Sequence, residues 1–357
     1  MTSNKHKNKS MSAVGFAILA ALLYGISAPA SKLLLKELSP TMMAALLYLG
    51  AGLGMLFINI FLTIGGVEKS EARMTKKELP FIIGMILLDI AAPILLMMGL
   101  KTTHSANASL LNNFEIVATA IIAMLLFRES VGKRMWLAIG LITLSSLLLS
   151  IGESGSLSFS MGSIFVILAC ISWGFENNCT RMLSLKDPLQ IVVIKGFGSG
   201  FGALIIAYFT RGMSYQTTFV ILALCLGFVA YGLSIYFYIR AQRTLGAART
   251  STYYAAAPFI GVLVSWLVLK ENLGTMFLIA LGIMIIGNYF AVTEKHKHTH
   301  HHPELAHDHK HSHDDAHHTH SHDYLVKGEH SHLHVHEPDI HRHAHTPDLH
   351  HTHTHAH

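Results

Sequence analysis

The chain alternates long apolar runs with short polar intervals. Ten runs approach or exceed the roughly 20 mostly apolar residues that a helix needs to cross a bilayer. They cover 13–34, 40–64, 79–99, 104–127, 134–152, 160–182, 188–210, 217–240, 245–269 and 274–293. Strands of a membrane barrel would be about ten residues long and would alternate apolar with polar positions, which these runs do not. The first run is too long for the apolar part of a secretory signal, and no small-residue cleavage site follows it. The pattern predicts an all-α integral membrane protein with a retained first helix, ten transmembrane helices up to residue 293, and a different kind of chain beyond.

The apolar part contains itself twice. "YGISAPASK" at 24–32 aligns with "WGFENNCTR" at 173–181, and "YLGAGLG" at 48–54 with "GFGSGFG" at 196–202. "LLFRESVGKRMWLAIGLITL" at 125–144 aligns with "LVLKENLGTMFLIALGIMII" at 267–286, so that Glu129 matches Glu271, Gly132 matches Gly274 and Gly140 matches Gly282. The offset is 148 residues at Pro40 and Pro188 and 142 at the glutamates, so one half has lost a few loop residues. The halves are 12–152 and 160–293, each with five predicted helices. Five is odd, so the second half enters the membrane with opposite polarity. Inverted repeats of this kind build secondary transporters around a site near the midplane. A duplicated bundle built only for stability would need no buried charges.

These motifs resemble those of the drug/metabolite transporter superfamily, specifically the EamA family of ten-helix permeases. The resemblance covers about residues 12–293 and rests on the Tyr/Trp-Gly pair in the first helix of each half. It rests also on the Glu…Gly……Gly run that joins the fourth and fifth helices of each half. It implies a cavity between the halves that opens alternately to each side, and passage of a small polar metabolite such as an amino acid, nucleoside or drug. "APAS" and "NNCT" depart from the less polar stretch of many relatives. The second-half partner of Glu115 is Ala257, so the resemblance assigns Glu115 no role.

Composition agrees with a membrane setting: 51% of residues are hydrophobic and 13% charged, against about 25% charged in soluble domains. The net charge of +5 is spread over short loops rather than gathered in a patch, which gives no sign of nucleic-acid binding. With the N-terminus placed inside, inner segments carry 17 Lys and Arg and outer loops five (Lys32, Lys36, Lys101, Arg211, Lys270). That bias predicts an inner or plasma membrane protein with both termini cytoplasmic. Cys170, Cys179 and Cys225 all fall in predicted helices without a CxxC pair and read as small buried apolar residues.

Against this background the intramembrane polar residues stand out. A charge at mid-helix costs about 2.5–3.5 kcal/mol on insertion scales and usually faces a bundle interior or a wet cavity. Glu115 lies halfway along the fourth helix, on one face with Ser105, Asn112 and Thr119. Asn112 is positioned to hold its carboxylate. The acid then binds a cationic solute group or carries a proton; the alternative is a protonated acid that glues two helices. Asp89 lies near mid-depth four residues before Pro93, which removes a backbone hydrogen bond and frees a carbonyl. Glu176, with Asn177 and Asn178, comes late in the sixth helix, nearer the cytoplasmic mouth. Lys195 reads as a snorkelling lysine, or as a counter-ion for an acid on another helix. His104 reads as interfacial polar trim. Tyr24 and Trp173, paired by the repeat, and Tyr231, Tyr253 and Tyr254 are either cavity aromatics or interface anchors. The glycines at 50, 52, 54, 198, 200 and 202 permit close helix approach and hinging. Glu129 and Glu271 read as helix-end residues outside the solute site.

After residue 293 the chain changes class. Of 27 histidines only His6 and His104 precede this tail. It lacks apolar periodicity, which predicts disorder. Alternating H-x-H places several imidazoles within reach of one ion, and Zn, Ni, Co and Cu all take imidazole. The ligand candidates are His307, His309, His311, His313, His317, His318, His320 and His322. Protonation below roughly pH 6.5 would release the metal.

Three functions follow from the sequence. The first is a permease for a small polar solute, with Glu115, Asp89, Glu176, Asn112, Asn177, Tyr24, Trp173 and Tyr253 lining the path. It requires no cofactor, and the tail holds transition-metal ions. The second keeps the fold and carries divalent Ni, Co, Zn or a chelate. The third is a membrane-anchored metal store or sensor, which would not need polar helix faces. No HExxH, nucleophile elbow or phosphate loop supports an enzyme. Partners are the solute, lipid and metal ions; oligomeric state, a homodimer included, stays open.

Overall fold

The computed structural model describes residues 2–65, 76–127, 131–151, 160–183, 186–214, 216–245, 250, 253–293, 296–302, 305–311, 330–336 and 339–345. The apolar runs fold as helices. In the first half these are α1 (Thr2–Gly25), α2 (Ser27–Leu34), α3 (Pro40–Ile64), α4 (Leu79–Thr102), α5 (Ser105–Leu111), α6 (Phe114–Phe127) and α7 (Lys133–Ser150). In the second they are α8 (Met161–Leu183), α9 (Pro188–Phe209), α10 (Thr217–Leu226), a π-helical segment (Gly227–Leu233), α11 (Ser234–Leu245), α12 (Ala257–Leu269) and α13 (Thr275–Val292). Among the described residues, eight helices are long and apolar enough to span a membrane. Shorter α12 and the more polar α8 occupy the remaining positions of the ten-helix pattern. The protein is a multi-pass membrane protein. Its outward side chains suit lipid: Phe57, Phe61 and Phe209 are each more than three-quarters exposed.

Three expected helices are interrupted. The first bends at Ile26, which separates α1 from α2. The fourth is broken at Asn112–Asn113, which separates α5 from α6. The corresponding helix of the second half has its turn at 255–256, just before α12. Offset by 142 residues, Asn113 falls on position 255, so the two breaks occupy matching places. The face inferred for a continuous fourth helix therefore does not persist: Ser105 lies beyond the break from Glu115. At the Asn112–Asn113 break the Asn113 side-chain amide donates to the Leu110 carbonyl at 2.9 Å, in competition with the helical ladder; the matching turn at 255–256 has no asparagine.

Helix starts repeat the same chemistry. Ser39 accepts from the Met42 amide at 3.1 Å and Asp187 from the Leu189 amide at 2.9 Å, and Pro40 and Pro188 follow as first helical residues. Gly132 and Gly274 precede α7 and α13 in the same extended conformation.

Packing joins the halves by matching partners. Helix α3 packs on α9, and α7 on α13; α4 packs on α8 as α1 does on α11; α6 packs on α8 as α1 does on α12. Exchange of first for second half turns each contact into another in the set, as an inverted duplication requires. Closest approach comes at the glycine stripes. A Cβ at Gly196 would stand 2.5 Å from the Gly52 backbone and one at Gly50 2.1 Å from the Leu224 carbonyl oxygen, so neither position has room for a side chain.

In the tail, strand β1 (His296–His302) pairs antiparallel with β4 (Asp339–His345), and β2 (Leu305–His311) with β3 (His330–His336). Composition predicts disorder, whereas these stretches run as strands. Their H-x-H alternation has a period of two, which is also the period of a strand.

Candidate functional site

Asp89 on α4, Glu176 on α8 and Lys195 on α9 meet in the interior. The Lys195 Nζ donates to Glu176 Oε1 at 2.9 Å and lies 3.1 Å from Asp89 Oδ2. Asp89 is fully buried and Glu176 is 2% exposed. Tyr48 on α3 donates its hydroxyl proton to Asp89 Oδ1 at 2.7 Å, and Thr180 one turn along α8 donates to Glu176. The pairing with Lys195 crosses between halves at Asp89 and stays within the second half at Glu176.

The two lysine contacts differ in kind. The ammonium is aligned with Glu176 at 2.9 Å, whereas Asp89 Oδ2 meets it at 3.1 Å as an ion pair with poorer hydrogen-bond alignment. Two carboxyl groups thus share one cation in a setting of low dielectric. A buried carboxylate without compensation is costly, so the cluster has capacity for one further positive charge.

Glu115 sits in the first turn of α6, immediately after the Asn112–Asn113 break. Its carboxylate accepts from Asn177 on α8 at 2.6 Å, and the same amide lies 3.2 Å from the Thr119 hydroxyl. Asn177 adjoins Glu176 in the chain, so the two acidic sites are contiguous across α8. Asn178 donates to the carbonyls of Gly174 at 2.8 Å and Thr119 at 3.3 Å, and so fixes the α6–α8 contact.

Four tyrosines pack together beside the acids. Tyr24 is 5.9 Å from Tyr231 and 5.7 Å from Tyr254 between ring centroids, and Tyr48 is 5.6 Å from Tyr231. Tyr231 lies in the π-helical segment, a distortion that recurs at functional positions. Its hydroxyl is buried without a partner.

The structure rearranges several expectations. Asn112 does not hold Glu115, and Asn177 does; Asn112 lies at the break and its carbonyl accepts the Glu115 amide at 3.1 Å. Trp173 is 6% exposed within the apolar core. Tyr253 is half-buried, and its neighbour Tyr254 makes the contacts in the cluster. Lys195 does not snorkel but takes the counter-ion role. Tyr48, which the sequence reading left unassigned, was visible only as the aromatic beside the first glycine stripe. Cys170 is buried, while Cys179 is half-buried and Cys225 exposed, so only the first keeps the expected core position.

Glu271 caps a helix of the opposite half. Its carboxylate accepts from the Ser105 and Ala106 amides at 2.8 Å each, at the start of α5, and His104 stands 4.0 Å away. Ser105 also donates to Ser265 at 2.7 Å. Another interhalf bond joins Asn288 to Asn113 at 2.6 Å. Glu129 lies outside the described residues. Of the candidate metal ligands, His307, His309 and His311 belong to β2, whereas His313, His317, His318, His320 and His322 lie outside the described residues. Among the described residues no group of three or more His, Cys, Asp or Glu is placed to hold a metal.

The EamA-like transporter family matches residues 11–151 and again 160–293. An uncharacterized transporter of Methanothermobacter thermautotrophicus is 27% identical over 287 residues, which is 76% of this chain and 83% of the relative. The uncharacterized transporter YyaM of Bacillus subtilis is 24% identical over 274 residues, or 74% of this chain and 87% of the relative. A solved crystal structure, 16% identical, superposes with a TM-score of 0.58 over 78% of this chain and 95% of its own, a likeness of fold alone.

Proposed function

Because the chain belongs to the EamA-like transporter family, we propose that this membrane transporter is a secondary permease for a small polar metabolite that bears a cationic group, such as an amino acid or a drug-like amine. The observation that carries the reading is the sharing of Lys195 between Asp89 and Glu176. A cluster with one carboxyl more than it has cations favours a positively charged guest over an anionic one. Glu115 on α6, held by Asn177, the neighbour of Glu176 on α8, adds a second acidic position. Alternating access would move the halves relative to each other, and the interhalf contacts are the ones to change. Tyr24, Tyr231 and Tyr254 supply aromatic surface for the organic part of the solute. The Lys and Arg bias supports placement in an inner or plasma membrane with both termini in the cytoplasm. There the H-x-H repeats of the tail would collect Zn, Ni, Co or Cu.

Proteoliposomes test both parts. Purified protein, with and without residues 294–357, is assayed for uptake of radiolabelled amino acids, amines, Ni, Co and Zn. The expected result is flux of at least one cationic organic solute that survives tail deletion and is abolished in Glu115→Gln. Flux of metal alone, lost with the tail, would replace this reading by metal transport.

A further inference from the structure

We infer that the Lys195 ammonium is a tethered stand-in for the cation of the cargo, and that a primary ammonium on the substrate enters by displacing it from Asp89. The inference rests on the proposed solute site. Its starting point is the unequal bonding of the two carboxyl groups. Glu176, in the same half as Lys195, receives the aligned hydrogen bond at 2.9 Å. Asp89, in the opposite half, has Oδ1 held by Tyr48, while its buried Oδ2 meets the lysine nitrogen at 3.1 Å out of line for a well-formed hydrogen bond. Asp89 is therefore firmly oriented through one oxygen and more weakly engaged through the other.

A second acceptor lies among the adjacent tyrosines. The Tyr231 hydroxyl is buried and unpartnered, and its ring packs 5.6 Å from that of Tyr48, the residue that orients Asp89. A primary ammonium carries three N–H donors, which can serve Asp89 Oδ2 and the Tyr231 oxygen together. A quaternary ammonium has none to offer. The flexible four-carbon stem of Lys195 lets its head withdraw to Glu176 alone. One cation then replaces another at Asp89, and the two carboxyl groups are never left together without compensation. The groups that face the cluster are Tyr48 from α3, Thr180 from α8 and Tyr231 from the π-helical segment, with Glu115 beyond Asn177. None of these carries a competing positive charge.

The test is binding of ethylammonium and tetramethylammonium chloride to the purified full chain in lipid nanodiscs, read by thermal shift. A tethered ligand competes at an effective concentration in the millimolar range, so its removal in Lys195→Ala should tighten ethylammonium about tenfold and leave tetramethylammonium unchanged. Unchanged or weaker ethylammonium binding overturns the inference, as does an equal gain for both ions. If Lys195→Ala does not fold unaided, recovery during purification in ethylammonium but not in tetramethylammonium chloride supports it; equal recovery in the two salts overturns it. No transport step enters this measurement. Tightened binding without flux in proteoliposomes would remove the permease reading alone, and flux without tightened binding would remove this inference alone.

Discussion

In the first half, α7 starts behind Gly132 and turns Gly140 outward; in the second, α13 starts behind Gly274 and turns Gly282 outward. Pro40 and Pro188 open equivalent helices, and the fourth helix of each half breaks at an equivalent place. The interior polar residues have no such correspondence. The first half contributes Asp89, Glu115 and Tyr48, the second Glu176, Lys195 and Asn177, and Ala257 stands where Glu115 would recur. At the acids the interhalf contacts join unlike residues, a lysine with an aspartate and an asparagine with a glutamate, whereas away from them like residues meet, Asn288 with Asn113 and Ser265 with Ser105. Duplication kept the features that fold each half and cross the helices. The buried polar residues, each costly in the membrane, differ between the halves. The comparison therefore separates the features that the two halves share from the charged cluster that they build together.

The strongest way to break it is at Lys195. If the charge cluster is a unit shared by the halves, Lys195→Met leaves two buried carboxyl groups without their cation and costs roughly 3–5 kcal/mol. Unfolding in mixed micelles titrated with dodecyl sulfate measures this. Adding Asp89→Asn should return at least half of the loss, because one carboxyl then remains instead of two. A single variant as stable as wild type would show that the cluster does not depend on its cation.

Asn177 and Asn112 sharpen the same contrast with a smaller effect. Asn177→Ala removes the donor that holds Glu115 across the halves and leaves a partly buried acceptor unmet, a loss of about 1–2 kcal/mol. Asn112→Ala touches no side-chain bond of Glu115 and should cost less. Solute affinity, measured by competition in proteoliposomes, should fall about tenfold for Asn177→Ala. The reverse ranking would return the role to Asn112.

Those two asparagines also show where the sequence was legible. The number of helices, their order and their duplication could be read from apolar run length, from Pro40 and Pro188, and from the Glu129 and Glu271 motifs, because bilayer thickness and helix geometry impose them. Asp89, Glu115 and Glu176 could be read because an acid within an apolar run has few explanations. Which acid meets which partner could not. That depends on the rotation and depth of α4, α8 and α9, and an error of one residue turns a helix face by about 100°. The break at Asn112–Asn113 was hidden because asparagine is tolerated within helices as well as at their ends. Tyr48 was hidden because an aromatic beside a glycine stripe reads equally as packing. Glu271 was recognisable as a helix-end residue, but the helix whose amides it binds belongs to the other half.

The smallest effect is expected where the halves agree most. A Cβ built at Gly140 or Gly282 meets nothing within 4 Å, and both positions face outward. Neither glycine supports a crossing, a turn or a positive backbone angle in its helix. Alanine adds one methyl group toward lipid and restricts the unfolded chain, so each substitution should change stability by no more than about 0.5 kcal/mol, with any gain equal at the two sites. The measurement is the same dodecyl sulfate titration, with the two single variants run beside the double. Additivity is expected, since the two positions lie on different helices and have no neighbour in common. If one alanine is silent and the other costs more than about 1 kcal/mol, α7 and α13 face different surroundings, and the shared scaffold would not extend to the last helix of each half.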